Sequence, residues 1–127
     1  MKRSISNKKY KKIISKDKDC FNYPQVKKTH SVLKEGNFWL IIKNKYPYLK
    51  YDNLKVEKHL LIIPKRKITN WGQIKKDELK EFFDLAQISL GFMDLKEVRV
   101  IMKTNLNKPS IKKIHAHILF LKTKKSF

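Results

Sequence analysis

Cysteine is nearly absent from this chain of 127 residues, in which Cys20 is the only one. A single cysteine excludes an internal disulfide framework and a zinc site built from paired cysteines. Long apolar runs are missing too: none approaches the roughly 18 residues of a membrane-spanning helix, and no signal-peptide pattern opens the chain. We therefore expect a soluble, cytoplasmic protein with no membrane partner.

Acidic residues are scarce, with 11 Asp and Glu against 31 Lys and Arg, which gives a net charge of +20. Such a balance favours phosphate-bearing partners. Arginine is also scarce, because only Arg3, Arg66 and Arg99 are present, and specific recognition of phosphates or bases usually recruits arginine for its two-pronged hydrogen bonding. The charge therefore leaves two interpretations open: a nucleic-acid-binding function, or a lysine-rich composition without a function of its own.

The length predicts one domain. Residues 1–19 are dominated by Lys, Ser and Asn and form a basic arm that could contact a nucleic acid or a partner subunit. Residues 20–127 carry the apolar patterns of a folded domain. Apolar and β-branched runs predict strands over residues 37–43, 58–63, 97–103 and 114–121, and three- and four-residue apolar spacing predicts an amphipathic helix over 75–90. We expect an α+β domain with an antiparallel sheet of about five strands.

The strand over residues 114–121 carries the pattern with the most chemistry. Side chains of a strand alternate between two faces, so Lys113, His115 and His117 share one face with two leucines. The residues of the other face, from Ile114 to Phe120, are wholly apolar and must pack on a core. Two imidazoles beside a lysine on one sheet face predict a functional site.

Three interpretations of this histidine pair compete. The pair could be structural, with both imidazoles hydrogen-bonded in or near the core. It could bind a metal ion, or it could supply a nucleophilic imidazole next to a second imidazole that holds a phosphate. A catalytic zinc site usually needs a third protein ligand, and no Asp, Glu or Cys lies within ten residues of the pair. The neighbouring lysines favour an anion, so phosphate chemistry is preferred and no metal or cofactor is expected.

At these residues the chain resembles the histidine triad (HIT) family of nucleotide hydrolases and transferases. Residues 110–118 match the family motif, a serine followed by histidines that alternate with apolar residues. The resemblance implies that Ser110 contacts phosphate, that His115 is the nucleophile and that His117 is the third motif histidine. Lys113 stands in place of the first motif histidine, among the nucleotide-binding residues. A second register, in which His115 is the first histidine and His117 the nucleophile, stays open.

Two further segments extend the resemblance, which is strongest over residues 37–121. The family has a strand, an Asn-x-Tyr-Pro turn and a strand that begins with His and ends in Ile-Pro-Lys. By that likeness Asn44 would hold the ribose, Trp39 and Ile42 would wall the base, and His59 would support the site. The link over residues 48–57 is longer than the family's usual link and contains no glycine.

The resemblance implies attack by His115 on the α-phosphate of a purine nucleotide that is a phosphoester, an anhydride or a phosphoramidate. A nucleotidyl-histidine would form and be opened by water. Two alternatives stay open: a catalytically weak protein that binds nucleotides or nucleic acid, and removal of adenylate from nucleic-acid ends, as in the aprataxin branch, whose Pro-Ser resembles Pro109-Ser110. A homodimer is a further expectation.

Overall fold

A single antiparallel sheet is the framework of this protein. The computed structural model describes residues 23–90, 97–103 and 114–122. In chain order the elements are helix α1 (Tyr23–Thr29), strands β1 (Val32–Glu35), β2 (Trp39–Lys43), β3 (Lys50–Tyr51) and β4 (Leu54–Pro64), a 3₁₀ turn (Trp71–Gln73), helix α2 (Lys76–Leu90), and strands β5 (Glu97–Lys103) and β6 (His115–Leu121). The strand order is β1-β2-β4-β6-β5, and β3 pairs with β4 alone. The predicted α+β class with an antiparallel sheet and one main helix is confirmed.

Strands β4 and β6 form the centre of the sheet. All seven residues of β6 are buried, as are the last six residues of β4. The two strands pair with Ile62 opposite Ala116 and Leu61 opposite His117. Because β-branched and large apolar residues fill both strands, each can be covered on its two faces.

One face of the sheet packs against α2. Its core includes Trp39 and Ile41 of β2, Phe82 of α2, Ile114 and the apolar side chains of β6 from Ala116 to Phe120. The indole Nε1 of Trp39 donates to the Glu78 carbonyl at 2.7 Å. The predicted apolar face of the last strand thus packs as expected.

The opposite face carries smaller apolar clusters on either side of the histidines. Near β1 and β2, Val26 of α1 covers Leu40, Ile42, Leu61 and Ile63. Near the other end of β6, Tyr48 packs with Leu119 and Leu121. The side chains of His115 and His117 lie on this same face.

Two carboxylates on α2 hold the surrounding loops. Glu78 is 2% exposed and accepts from Arg66 Nε and Nη2, both at 2.7 Å. Glu81 accepts from the backbone N–H groups of residues 37, 38 and 39 at 2.6, 2.7 and 3.0 Å. A Cβ added to Gly36 would lie 2.6 Å from the Glu81 carboxyl carbon, so this glycine allows the turn before β2 to approach the helix.

Two local expectations were wrong, and the helix α1 (Tyr23–Thr29) was not predicted. Strand β4 begins at Leu54, so His59 lies inside the strand and does not open it. The segment predicted as a link forms a hairpin between β3 and β4, in which Asp52 and Asn53 have φ of 52° and 62°. Such left-handed angles suit the tight turns of two-stranded hairpins, and Asp and Asn tolerate them without glycine.

No helix among the described residues is long and apolar enough to cross a membrane. The basic arm over residues 1–19, Ser110 and Lys113 lie outside the described residues, and the expectations about them stay predictions.

Candidate active site

The site face of β6 presents two imidazoles side by side. His115 and His117 are buried, and their ring centroids lie 5.0 Å apart at an interplanar angle of 63°. They are separated by one residue, and alternation along the strand puts both on the face opposite α2. The predicted placement of the pair on one sheet face agrees with this geometry.

A third imidazole joins the pair from the neighbouring strand. His59 on β4 is 3% exposed, and its Nε2 lies 2.6 Å from Nδ1 of His117. Residue His59 pairs with Leu119 in the ladder, so its side chain points to the same face as His117. His59 therefore borders the motif pair, and its supporting role stays a prediction.

The hydrogen bonds of His59 fix the proton positions in this pair. The backbone N–H of Tyr48 donates to His59 Nδ1 at 3.1 Å. A backbone N–H can only donate, so Nδ1 of His59 is unprotonated and the neutral ring carries its proton on Nε2. That proton is donated to Nδ1 of His117, so a neutral His117 carries its own proton on Nε2. The backbone of Tyr48 thus sets the tautomers of two histidines in series.

Asn44 lies directly beside His59. Its Oδ1 accepts from the Tyr46 backbone N–H at 2.9 Å, which orients the amide so that Nδ2 faces the imidazole. Nδ2 lies 3.3 Å from each ring nitrogen of His59. The backbone N–H of Asn44 also donates to the His59 carbonyl at 3.0 Å. Asn44 therefore borders the histidine cluster, where the predicted ribose contact would have to be made.

Tyr48 covers the histidines from above the sheet. Its ring stacks on His117 with centroids 5.5 Å apart and planes 15° apart, and it contacts His59 at 4.5 Å. The Tyr48 side chain is itself buried. This aromatic contact holds both imidazoles in place.

The neighbouring edge strand adds a lysine to the site face. Lys103 on β5 pairs directly with His115, and Ile101 pairs with His117. Paired residues of an antiparallel ladder point to the same face. The Lys103 ammonium lies 3.5 Å from the Tyr48 hydroxyl.

The two residues that were predicted to wall the base lie on opposite faces of the sheet. The prediction for Trp39 is wrong. Its side chain packs on Phe82 on the α2 face, with ring centroids 5.1 Å apart, so it cannot line a pocket on the histidine face. Ile42 does lie on the histidine face, in the row that contains Leu61 and His117, although its side chain is fully buried among neighbours that include Val26.

Sequence reasoning missed two members of the cluster, Tyr48 and Lys103. Tyr48 lies outside any regular pattern, because it follows the Tyr46-Pro47 turn. Alternation along residues 97–103 could have placed Lys103 on the face of the strand that does not carry Val98. The pairing of β5 with β6, however, is a tertiary contact that the local sequence does not predict. Within the described residues, no group of three His, Cys, Asp or Glu side chains could hold a metal ion.

The arrangement is suited to reactions at phosphorus. A neutral imidazole can attack an electrophile, and an N–H fixed on the adjacent imidazole can donate to the charge that develops there. A cation within the same face attracts anions.

Comparisons with known proteins identify the family of the chain and structures with a similar fold. The family model of the HIT domain matches residues 40–124. A histidine triad protein from Clostridium difficile has a similar fold, with 17% identity, a TM-score of 0.54 and 93% of both chains covered. A histidine triad nucleotide-binding protein from Candida albicans is 15% identical, with a TM-score of 0.55 over 93% of this chain and 82% of that one.

A third similar structure is a HIT family hydrolase from Legionella pneumophila, which is 22% identical with a TM-score of 0.50 and covers 76% of this chain and 86% of its own. No curated protein matches the chain in sequence. The family match spans about two thirds of the chain and includes β4 and β6, which carry the three histidines of the cluster. The chain belongs to the HIT domain family.

Proposed function

We propose that this protein is a nucleotide hydrolase or nucleotidyl transferase in which His115 attacks the α-phosphorus of a nucleotide. The observation that carries the proposal is the serial hydrogen bonding from Tyr48 through His59 to His117. It leaves the proton of neutral His117 on Nε2, and the centroid of this ring lies 5.0 Å from that of His115. A nucleophile and a donor with a fixed tautomer are the two groups that this reaction requires.

The first step forms a bond between a ring nitrogen of His115 and phosphorus. The bond from phosphorus to the leaving group breaks, and its electron pair departs with that group. A phosphate leaves as the anion, whereas an alcohol or amine leaving group takes up a proton from water. Charge on the non-bridging oxygens is stabilised by His117 Nε2–H and, by the family resemblance, by the Ser110 hydroxyl. Water then attacks phosphorus, the N–P pair returns to the imidazole and the water proton is released.

The other assigned residues orient the substrate. Asn44 borders His59 and is proposed to hold the ribose of a purine nucleotide. Lys113 stands in place of the first motif histidine, and its ammonium would attract the phosphate. A charged lysine cannot accept a hydrogen bond, so it cannot replace the imidazole as a support for His115.

The test is turnover of adenosine 5′-phosphoramidate and of a dinucleoside polyphosphate. His115→Ala should abolish turnover and leave nucleotide affinity nearly unchanged, while His117→Ala should weaken both. The matched control is His30→Ala, since His30 lies outside the cluster and contacts Thr29. If His117→Ala is the inactive variant and His115→Ala is merely impaired, the second motif register is right. An inert parent that still binds nucleotides would identify a binding protein.

A second candidate function, action on or binding to nucleic acid, is favoured by the net charge of +20. Each phosphate that is neutralised on a nucleic acid releases counterions, so affinity should fall steeply with salt. Deletion of residues 1–19 should flatten that slope if the arm makes the contacts and leave turnover of small nucleotides unchanged. Turnover on adenylated DNA above that on free dinucleotides would indicate repair of adenylated ends.

A homodimer is proposed as the assembly of this chain. The observation in its favour is the set of exposed apolar side chains on β5 and α2: Leu79, Phe83, Val100 and Met102, which are 39–59% exposed. Light scattering would measure the mass in solution, and a monomer at high concentration would contradict the proposal.

A further inference from the structure

The lysine at the end of β5 lies in a position that the histidine motif does not explain. Lys103 is the last residue of β5 and is the ladder partner of His115. Neighbouring strands lie about 4.8 Å apart, so the two Cα atoms are adjacent across the ladder and the two side chains leave the same face. The Lys103 ammonium therefore belongs to the environment of the histidine pair.

The backbone of Lys103 is held in place, whereas its ammonium group is held weakly. The Trp71 indole Nε1 donates to the Lys103 carbonyl at 2.9 Å, which holds the end of the strand. The ammonium lies 3.5 Å from the Tyr48 hydroxyl, a separation at the weak limit of a hydrogen bond. A ligand oxygen could replace that contact at little cost.

A second cation on the same face of β5 serves as an internal comparison. Arg99 forms ion pairs with Asp52 at 2.7 Å and with Glu97 at 3.0 Å, so its charge is balanced by two carboxylates. Within the part of the chain that the structure describes, no carboxylate pairs with Lys103. Its positive charge is directed at the histidine face and is available to an anion.

The order of strands tells which part of a substrate Lys103 would meet. Across the histidine face, Asn44 follows β2, His59 lies on β4, the two motif histidines lie on β6 and Lys103 lies on β5. If Asn44 holds the ribose and His115 attacks the α-phosphorus, as in the proposed function on which this inference rests, the leaving group extends away from β4. In that direction the next strand is β5.

We propose that Lys103 binds the leaving group and that this group is a phosphate or polyphosphate. When the bond between phosphorus and the leaving oxygen breaks, the electron pair stays on that oxygen, and the negative charge of the departing phosphate rises. The Lys103 ammonium stabilises that charge without giving up a proton. The substrate class is then a nucleotide anhydride, such as a dinucleoside polyphosphate, and a phosphoramidate with a neutral amine leaving group gains little from Lys103.

The experiment compares kcat/KM for a dinucleoside polyphosphate with kcat/KM for adenosine 5′-phosphoramidate in the full chain. Lys103→Met should lower the value for the polyphosphate at least tenfold and the value for the phosphoramidate less than threefold. Lys103→Arg, which keeps the charge, should restore most of the loss. Lys80→Met, at an exposed position of α2, is the control for the loss of one positive charge. If Lys103→Met does not fold, Lys103→Gln replaces it.

An equal loss with both substrates, or no loss with either, would overturn the inference while leaving the proposed function intact. A parent that turns over neither substrate would refute the proposed function, and the inference is then decided by binding. Calorimetry should show that Lys103→Met lowers the ratio of ADP to AMP affinity about tenfold. An unchanged ratio, or a parent that binds neither nucleotide, would overturn it.

Discussion

The buried contact between His59 and His117 gives a prediction that separates stability from turnover. His59→Phe keeps the ring contacts with Tyr48 but removes the acceptor of the Tyr48 N–H and the donor to His117 Nδ1. Losing a buried hydrogen-bond partner costs about 1–3 kcal/mol, so the two together predict a destabilisation of about 2–6 kcal/mol. For a chain of this size that is a fall of roughly 8–24 °C in Tm. Chemical denaturation followed by circular dichroism measures the loss in the free energy of unfolding.

Two polar variants divide this effect between its two contacts. In His59→Asn the side-chain oxygen lies near the position of Nδ1 and can accept from Tyr48. In His59→Gln the terminal amide reaches the position of Nε2 and can donate to His117. Each variant should therefore recover about half of the lost stability.

Their turnover should differ, because only the glutamine holds the proton of His117 on Nε2. A hydrogen bond to a charged group contributes about 1.5–3 kcal/mol, so losing the correct tautomer should slow His59→Asn and His59→Phe about 10- to 150-fold. The turnover rate of His59→Gln should stay well above the rates of His59→Asn and His59→Phe. Nitrogen-15 NMR reads the tautomer directly. A proton found on Nδ1 of His117 in the parent, or equal rates in the Asn and Gln variants, would refute the argument.

Three further predictions concern other parts of the chain. Hydrogen bonds from Arg66 hold the pKa of Glu78 below its usual 4.5, against the opposing effect of burial. The pair therefore stabilises the fold above pH 4.5, and this stabilisation is lost as the pH falls through the lowered pKa. Glu78→Gln should therefore lower the free energy of unfolding by about 1–2 kcal/mol at pH 7, and a gap from the parent that stays constant in acid would contradict the assignment. Glu81→Ala removes the acceptor of three backbone N–H groups and should cost about 2–3 kcal/mol, measured by urea denaturation, whereas Asp84→Ala at an exposed position of α2 should cost little. Lys113→Met should move the acidic limb of the rate profile to higher pH, because a cation close to His115 would disfavour protonation of its imidazole. Lys113→His should be active, and an unchanged profile would mean that the lysine takes no part.

Much of the fold follows from periodicity in the sequence. The helix over 76–90 and the strand over 97–103 agree with their predicted bounds within a residue, because long amphipathic or β-branched patterns have few alternatives. The hairpin at Asp52 and Asn53 was missed because its turn uses no glycine. The short helix α1 has too few residues for a periodic signal. The packing of Val26 on β2 forms only in the folded chain.

The site was predictable along each strand but not between strands. Alternation put His115 and His117 on one face, as the structure has them. The same alternation puts Trp39 and Ile42 on opposite faces, since they are three residues apart, but only the pairing with Leu61 and His117 tells which of them faces the site. Lys103 joins His115 through a register between strands, and Tyr48 joins through a loop. Such contacts depend on tertiary pairing, which no local pattern encodes.

The central claim is that His115 becomes covalently bonded to the nucleotide during turnover. Rapid quenching of the enzyme with a dinucleoside polyphosphate, followed by mass spectrometry of its peptides, tests this most directly. We expect a mass increase of one nucleotidyl group on His115, formed within the first turnover, absent from His115→Ala and retained in His30→Ala. An adduct on His117, or turnover at the full rate without any histidine adduct, would contradict the account.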